Sequence, residues 1–562
     1  MRKAIAIAMA MLLMILCCAC GETEKPSNNT SSNNSNSSSQ GSLDSSSDTS
    51  SEQDEEHSPT QSTTTTPGSA ELGDSPILEN YITVDNGLGS LTIEPEFGTQ
   101  PATLDTGWNA TAPIKKGNTD KEAEKLRNEI LSAKNTEEIY EITGTTYYVS
   151  PNGNDANDGI TPETAFKTTN ADIFTRNILK PGDAVLFERG GLWRLISAIK
   201  CKPGVTYGSY GKGEKPTFYG SAYNYANEDF WTPSNKKNIW KVSVTDTDIG
   251  IVVLNHGELV GIKKLNGLIA LEKNGDFYFN RGEDTLYFYY DGGNPGKAFD
   301  DIEIGLKKNI FSVTSAENVT IDNLRIKYSG LFGVSLCNCD NSTITNCEIG
   351  FIGGAIQSGT TRLGNGIQVW NGVINHRVEN CWIYQIYDAA VTFQGDNTYT
   401  GAAHMSDIYK NITYANNLFE YSIYSVEFWH GNSAPSVSLA VIENFNCVNN
   451  ISRFAGYGWG DQRADFTGNH ICVFDRSFPN AKNNNITDNL FDLANSFIVK
   501  WGFISGADMS GFNISNNTYY HGKNRFNEAV RFSSWNYASN LAELQNAIAK
   551  FDSNPKKIVW VD

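Results

Sequence analysis

From about residue 145 to residue 525 the chain alternates apolar and polar residues with a period of two, in short runs such as Val334-Ser335-Leu336, Val391-Thr392-Phe393 and Val426-Glu427-Phe428. That period puts successive side chains on opposite faces, so the runs predict short, half-buried strands. Gly, Asn and Asp separate them, which favours turns, and no long helical period intervenes.

Within this pattern a triplet of apolar residue, any residue and Asn recurs: Ile321-Asp322-Asn323, Ile344-Thr345-Asn346, Val378-Glu379-Asn380, Tyr414-Ala415-Asn416, Val448-Asn449-Asn450 and Ile514-Ser515-Asn516, with Ile486-Thr487-Asp488 as an Asp variant. The triplets stand 23 to 38 residues apart. A unit that small cannot bury its own apolar face and must stack on its neighbours. The predicted fold class is therefore all-β: a parallel β-helix solenoid, in which the shortest interval is one bare coil and longer intervals add a loop on one side. The Asn of each triplet is expected to point its amide inward and bond the neighbouring coils, as Asn ladders do. Cys347 and Cys381 follow it in consecutive coils and are read as stacked core residues, with a disulfide as the alternative.

A solenoid exposes a strand edge at each end, which must be covered. Helical patterns over residues 120 to 140 (Ala123, Leu126, Ile130, Leu131) and 541 to 551 (Leu541, Leu544, Ile548) are read as short caps, the second helped by Ile558-Val559-Trp560-Val561. The expected division is a signal peptide over 1–20, a tether over 21–75, an N-terminal extension with capping helix over 76–143, the β-helix over 144–525 and a C-terminal cap over 526–562.

The ends add a location. Met1-Arg2-Lys3 and the apolar run from Ala4 to Leu16 read as a secretory signal, too short to span a bilayer as a mature helix. Leu16-Cys17-Cys18-Ala19-Cys20-Gly21 resembles the bacterial lipobox and points to lipidation at Cys20, with Cys17 or Cys18, or an ordinary cleaved signal, as alternatives. The Ser, Thr and Asn stretch that follows has little apolar material to offset ordering and reads as a tether reaching roughly 40 Å. The expected location is the bacterial cell surface, with the membrane contacted only through the lipid anchor.

A net charge of −19 argues against nucleic acid as a partner and mildly against a highly anionic glycan. Seven cysteines lie beyond the signal region, with no CxxC spacing that would indicate zinc.

Tyr147-Tyr148-Val149-Ser150-Pro151-Asn152-Gly153-Asn154-Asp155-Ala156-Asn157-Asp158-Gly159, followed by Pro181-Gly182-Asp183-Ala184-Val185-Leu186-Phe187, resembles the opening of the right-handed β-helix proteins of the pectate-lyase-like superfamily. The resemblance implies the fold over about residues 145 to 525 and allows several activities: polysaccharide lyase, glycoside hydrolase, uronan epimerase or non-catalytic surface protein. Asp155 to Gly159 also suggests a calcium loop, but the twelfth position of an EF-hand would be Phe166, so a turn network is expected instead.

Coils stacked in register turn sequence offset into proximity, at about 4.8 Å per coil. Thirteen or fourteen residues past each marker stand Ser335, Thr392, Glu427, Asp461 and Lys500, joined by Gln368; two residues further stand Cys337, Trp370, Gln394, Trp429 and Arg463. Both rows are expected to face outward. Trp370 and Trp429 offer flat apolar faces for sugar rings, with Gln368, Gln394, Gln462 and His470 as further substrate-binding residues. Insertions at 357 to 366, 395 to 410, 431 to 438 and 464 to 470 are expected to wall this face.

Hydrolysis of a glycosidic bond needs two carboxyl groups, read here as Glu427 and Asp461 on adjacent coils, with Asp388 as a third candidate. Elimination needs a base and a cation beside a uronate, for which Lys500, His430 and Arg463 serve; Asp388, Glu427 and Asp461 would then hold Ca²⁺. The expected activity is cleavage of a complex glycan, by hydrolysis or β-elimination. A non-catalytic glycan-binding or adhesive β-helix and a uronan epimerase are the alternatives, and no cofactor other than that Ca²⁺ is implied.

Overall fold

The computed structural model describes residues 117–396, 408–431, 441–463, 468–473, 480–501, 510–524, 527–532 and 534–561. Cys20, the signal region, the tether and much of the expected walls at 395 to 410, 431 to 438 and 464 to 470 lie outside these residues.

Three long sheets run the length of the molecule, of eleven, ten and ten strands, and each successive coil adds one parallel strand to each. The architecture is the parallel β-helix. Val, Ile and Phe on the inward face of every strand stack into one continuous core, from Val149, Phe166 and Phe187 through Ile344, Val378 and Phe428 to Ile514 and Tyr519. Phe166, Ile173 and Leu179 close this core at the first coil, and Leu544, Ala547, Ile548 and Phe551 close it at the last. The seven described cysteines are free thiols, and Cys347 and Cys381 stack within the core. Asp155 accepts hydrogen bonds from Lys167 N and from Thr168 N and Oγ1, so that loop is a turn network.

The marker Asn has a different task from the one its sequence suggests. Asn323, Asn346, Asn380, Asn416, Asn449, Asp488 and Asn516 all have φ between 51° and 60°. They make the left-handed corner between sheets, which Asn tolerates better than other residues with a Cβ. Asn346 does donate its buried amide to Asp322 of the preceding coil, but from Asn417 onward the inward amide ladder belongs to the residue after the marker. The Nδ2 groups of Asn417, Asn450 and Asn489 donate to the Oδ1 atoms of Asn450, Asn489 and Asn517, each at 3.0 Å, and Asn517 donates to Asp552. The same register corrects one marker: Tyr414 pairs Cys447, which pairs Ile486, so the corner triplet is Cys447-Val448-Asn449 rather than Val448-Asn449-Asn450.

Three further features depart from the expected plan. The N-terminal helix, Asp120–Leu131, is a flank strap rather than an end cap. It buries Ala123 and Ile130 against Trp382, Tyr384, Leu418 and Ile451 on the outside of the second sheet. Before and after it, Asn118 and Thr119 donate to Asp492, Arg127 pairs with Glu420, and Thr136 donates to Asp322. The strap thus runs back from a late coil to an early one.

Between strands Thr217–Tyr219 and Phe311–Thr314 an insertion leaves the repeat and forms a five-stranded and a three-stranded sheet, both largely antiparallel, around Trp231, Val252, Phe277, Phe288 and Ile304. It docks on the solenoid through Ile251, Val253 and Val260, beside Tyr328, Phe351 and Trp459. Finally, the solenoid continues past residue 525, since Lys557–Val561 pairs in parallel with Thr518–Gly522.

Candidate active site

The third sheet carries the residues singled out for chemistry. Its strands are labelled in chain order: β1 (Ile199–Lys200), β2 (Phe311–Thr314), β3 (Val334–Cys337), β4 (Ile367–Trp370), β5 (Ala389–Asp396), β6 (Tyr424–Gly431), β7 (Asn469–Val473), β8 (Val499–Trp501), β9 (Glu528–Phe532) and β10 (Ser534–Tyr537). Strands β1 to β9 are parallel; β10 returns antiparallel at the end. Val391, Val426, Ile471, Val499 and Val530 share one register position and point into the core. The next position therefore faces away from the core, and there the register stacks Ser312, Ser335, Gln368, Thr392, Glu427, Cys472, Lys500 and Arg531.

This row contains five of the six expected positions, and the one it lacks is Asp461. The residue stacked on Glu427 is Cys472, because an insertion separates strand Ile451–Ala455 from β7. Asn495 closes the neck of that loop, accepting from Gly468 N at 3.2 Å and donating to Gly456 O. Asp461 stands in the loop's 3-10 turn, Trp459–Gln462, which Trp459 anchors by donating from Nε1 to Gln385 O at 2.6 Å. Arg463 follows the same turn and is likewise absent from the second outward row, where Cys337, Trp370, Gln394 and Trp429 are in register as expected.

The loop nonetheless returns Arg463 to the row from the side. Its Nη1 donates to Asp388 Oδ1 at 2.5 Å, and its guanidinium lies 5.8 Å from the centre of the Tyr387 ring. Asp388 sits in the turn before β5, fixed by its backbone N–H to Gly364 O and by Tyr424 N–H to its own carbonyl, both at 3.0 Å. The acid whose charge reaches Glu427 is thus Asp388.

Glu427 is 3% exposed. The apolar cluster of Ala389, Ile423, Tyr424 and Cys472 lies beside it. Burial, reinforced by the charge of Asp388, pushes its pKa up to about 8. One oxygen, Oε2, accepts from Thr392 Oγ1 at 2.8 Å and from Gln394 Nε2 at 2.7 Å. Gln394 in turn accepts from Gln368 at 3.2 Å, and Gln368 accepts from Asn365. This directed chain of amides holds Oε2 as an acceptor and leaves Oε1 as the oxygen to carry the proton. Over Gln394, Trp370 and Trp429 lean together although two strand steps separate them, their ring centres 6.1 Å apart and 22° from parallel. Burial lowers the pKa of Lys500, two strands beyond Glu427, and Arg463, Arg531 and Glu528 all act on its charge.

Two expected binding residues face elsewhere. Gln462 donates to Gly261 O at 2.7 Å and accepts from Lys263 N at 3.3 Å, so its amide pins the insertion to the solenoid. His470 is 1% exposed and inside the core, its Nδ1 2.6 Å from Ser452 Oγ and its ring 5.4 Å from that of Phe491. The backbone of His430 lies in β6 opposite Gly395, and its side chain is outside the described residues. Cys472 and Arg531 were missed in the sequence, although Ile471-Cys472-Val473 and Val530-Arg531-Phe532 carry the same inward-outward-inward signature as Val426-Glu427-Phe428.

The three acids assigned to calcium are engaged differently from one another. Asp388 is bridged to Arg463, Glu427 accepts from Thr392 and Gln394, and Asp461 lies in the 3-10 turn Trp459–Gln462. Among the described residues no three His, Cys, Asp or Glu side chains gather as a metal site.

No protein family and no curated protein matches the sequence. Among solved structures, one described as a glycoside hydrolase is 9% identical, covering 74% of this chain and 96% of that one with a TM-score of 0.43. XylC in complex with xylose is 13% identical over 69% and 66%, with a TM-score of 0.44. An alginate lyase from Paenibacillus sp. is 12% identical over 66% and 94%, with a TM-score of 0.31. Likenesses of this order say nothing about the reaction.

Proposed function

We propose that the chain is a surface-anchored enzyme that hydrolyses glycosidic bonds of a polysaccharide along the third sheet. The observation that carries this reading is a pair of carboxyl groups in unlike settings: Glu427, held toward its protonated form by burial and by the charge of Asp388, and Asp388 itself, ion-paired with Arg463. Hydrolysis needs that asymmetry. Glu427 gives its proton to the oxygen of the departing sugar. Water adds its hydroxyl to the anomeric carbon, and Asp388 takes the remaining proton. Trp370 and Trp429 hold a sugar ring over the amide chain that sets the orientation of Glu427.

The lowered pKa of Lys500 favours a second reading, β-elimination, in which Lys500 in its neutral form removes the proton beside a uronate whose carboxylate is met by Arg463 or Arg531. The test is a polysaccharide panel followed for new reducing ends and for the ultraviolet absorbance of an unsaturated uronate. Reducing ends alone, lost in Glu427→Gln, support hydrolysis. Both signals together, lost in Lys500→Met, replace it with elimination, and binding without either product leaves a glycan-binding module.

A further inference from the structure

Beyond the acid row, the third sheet ends in an aromatic surface. Register carries the outward row from Glu427 through Cys472, Lys500 and Arg531 to β10, where Arg531 pairs with Trp535. Val530 pairs with Asn536, which is buried, so Trp535 and Tyr537 share the outward side with Glu427. Both are exposed, at 47% and 54%. Exposed Trp and Tyr beside each other on a terminal strand invite association and call for an occupant.

These rings are held in place. Trp535 rests edge-on against the buried ring of Phe497 at 5.3 Å, and the Arg531 guanidinium lies 4.8 Å from its centre. Tyr537 continues the surface, its ring 6.4 Å away and only 22° from parallel. Two near-parallel rings side by side, with a guanidinium above one of them, match a sugar's apolar face and the hydroxyl or acidic groups at its edge. A protein partner would not need the continuity with the acid row that this surface has.

The geometry points to Trp535 and Tyr537 as a distal glycan-binding subsite on the same outward face of the third sheet. Four strand steps separate β6 from β10, about 19 Å at about 4.8 Å each. Only a chain of several sugar rings reaches from the acids to this surface, so the subsite selects long substrate over short. The inference rests on the polysaccharide reading above.

Because Trp535 and Tyr537 are exposed, Trp535→Ala/Tyr537→Ala is expected to fold, with Tm as the check. The catalytically silent Glu427→Gln protein and a Glu427→Gln/Trp535→Ala/Tyr537→Ala protein are run in native gels cast with xylan, polygalacturonate or alginate, and titrated with long and trimeric fragments of whichever polymer retards the first. The expected result is a Kd for long fragments raised about tenfold by the aromatic changes, well beyond any change for the trimer. Equal weakening for both lengths, no weakening, or no retardation in any gel would overturn it. A shift from dimer to monomer on removing the rings, in sedimentation, would instead assign the surface to a second copy of the chain. Retention of binding in a protein whose native form makes no product would sink the hydrolysis reading and keep this one.

Discussion

At the scale of single residues, Glu427 ties chemistry to stability. The folded chain keeps a proton on it from the ordinary glutamate value of 4.5 up to about 8, a window in which the unfolded chain has lost that proton. The folded state binds more protons there, so this residue's contribution falls as pH rises through the window. Glu427→Gln, which copies the protonated shape, should therefore cut turnover by about 10²- to 10⁴-fold. It should also raise Tm relative to the native chain more at about pH 9 than at about pH 6, since only the carboxyl loses stability across that interval. A thermal scan of both proteins at the two pH values checks this, and an unchanged Tm difference contradicts the assigned state. Native turnover should decline on its alkaline side near pH 8. Glu427 was legible in the sequence because its strand is bare alternation. Asp461 misled because its offset was counted through an inserted turn, and a count along the chain carries no knowledge of where a loop leaves the sheet and rejoins it.

Among elements, the corners and the strap decide how coils are joined. The repeating Asn was visible as a signal, but its meaning was shifted by one residue: the marker bends the backbone, and Asn417, Asn450 and Asn489 behind it carry the ladder. Asn450→Ala would leave the N–H and Nδ2 of Asn417 without their acceptor and Asn489 without its neighbour. At about 1–3 kcal/mol for each buried group left unsatisfied, the change should cost about 2–4 kcal/mol, read from urea midpoints. The strap was legible as a helix because Ala123 and Ile130 recur on one face; its position was not, because the surface it covers is built from residues hundreds of positions away. Glu420 accepts from Arg127, Trp382 and Arg453 with its carboxylate buried. Glu420→Ala should strand Arg127, leave Arg453 with Asp120 and Asp492 alone, and cost about 3–5 kcal/mol. Proteolysis near residues 121 to 134 should appear in that variant under conditions where the native chain resists it.

For the whole molecule, the acid side of the pH range is set by histidines in the core. Burial lowers the pKa of His376 and His521 to about 4 and of His470 to about 3. From the ordinary value of 6.5 down to those values the unfolded chain takes up protons that the folded chain refuses. The contribution of these three histidines is full above pH 6.5 and declines as pH falls. Between about pH 7 and about pH 5 the urea midpoint of His470→Phe should accordingly rise relative to that of the native chain; a difference that stays constant across the interval would contradict it. The solenoid itself was legible throughout, since each coil restates the same two-residue alternation. The insertion at the Trp231 core was not, because antiparallel strands alternate in the same way and nothing local marks a change of partner.

The strap also sets how the molecule answers tension. A pull on the chain ahead of Gly117 enters the fold beside Asp492, in a late coil, rather than at the first strand. The load is then shared along the flank through Arg453, Glu420 and Trp382 before it reaches any coil end. Stretched from that side, the solenoid is sheared lengthwise across many coils at once instead of being unzipped one coil at a time, so it should yield late and abruptly, after the helix has peeled away.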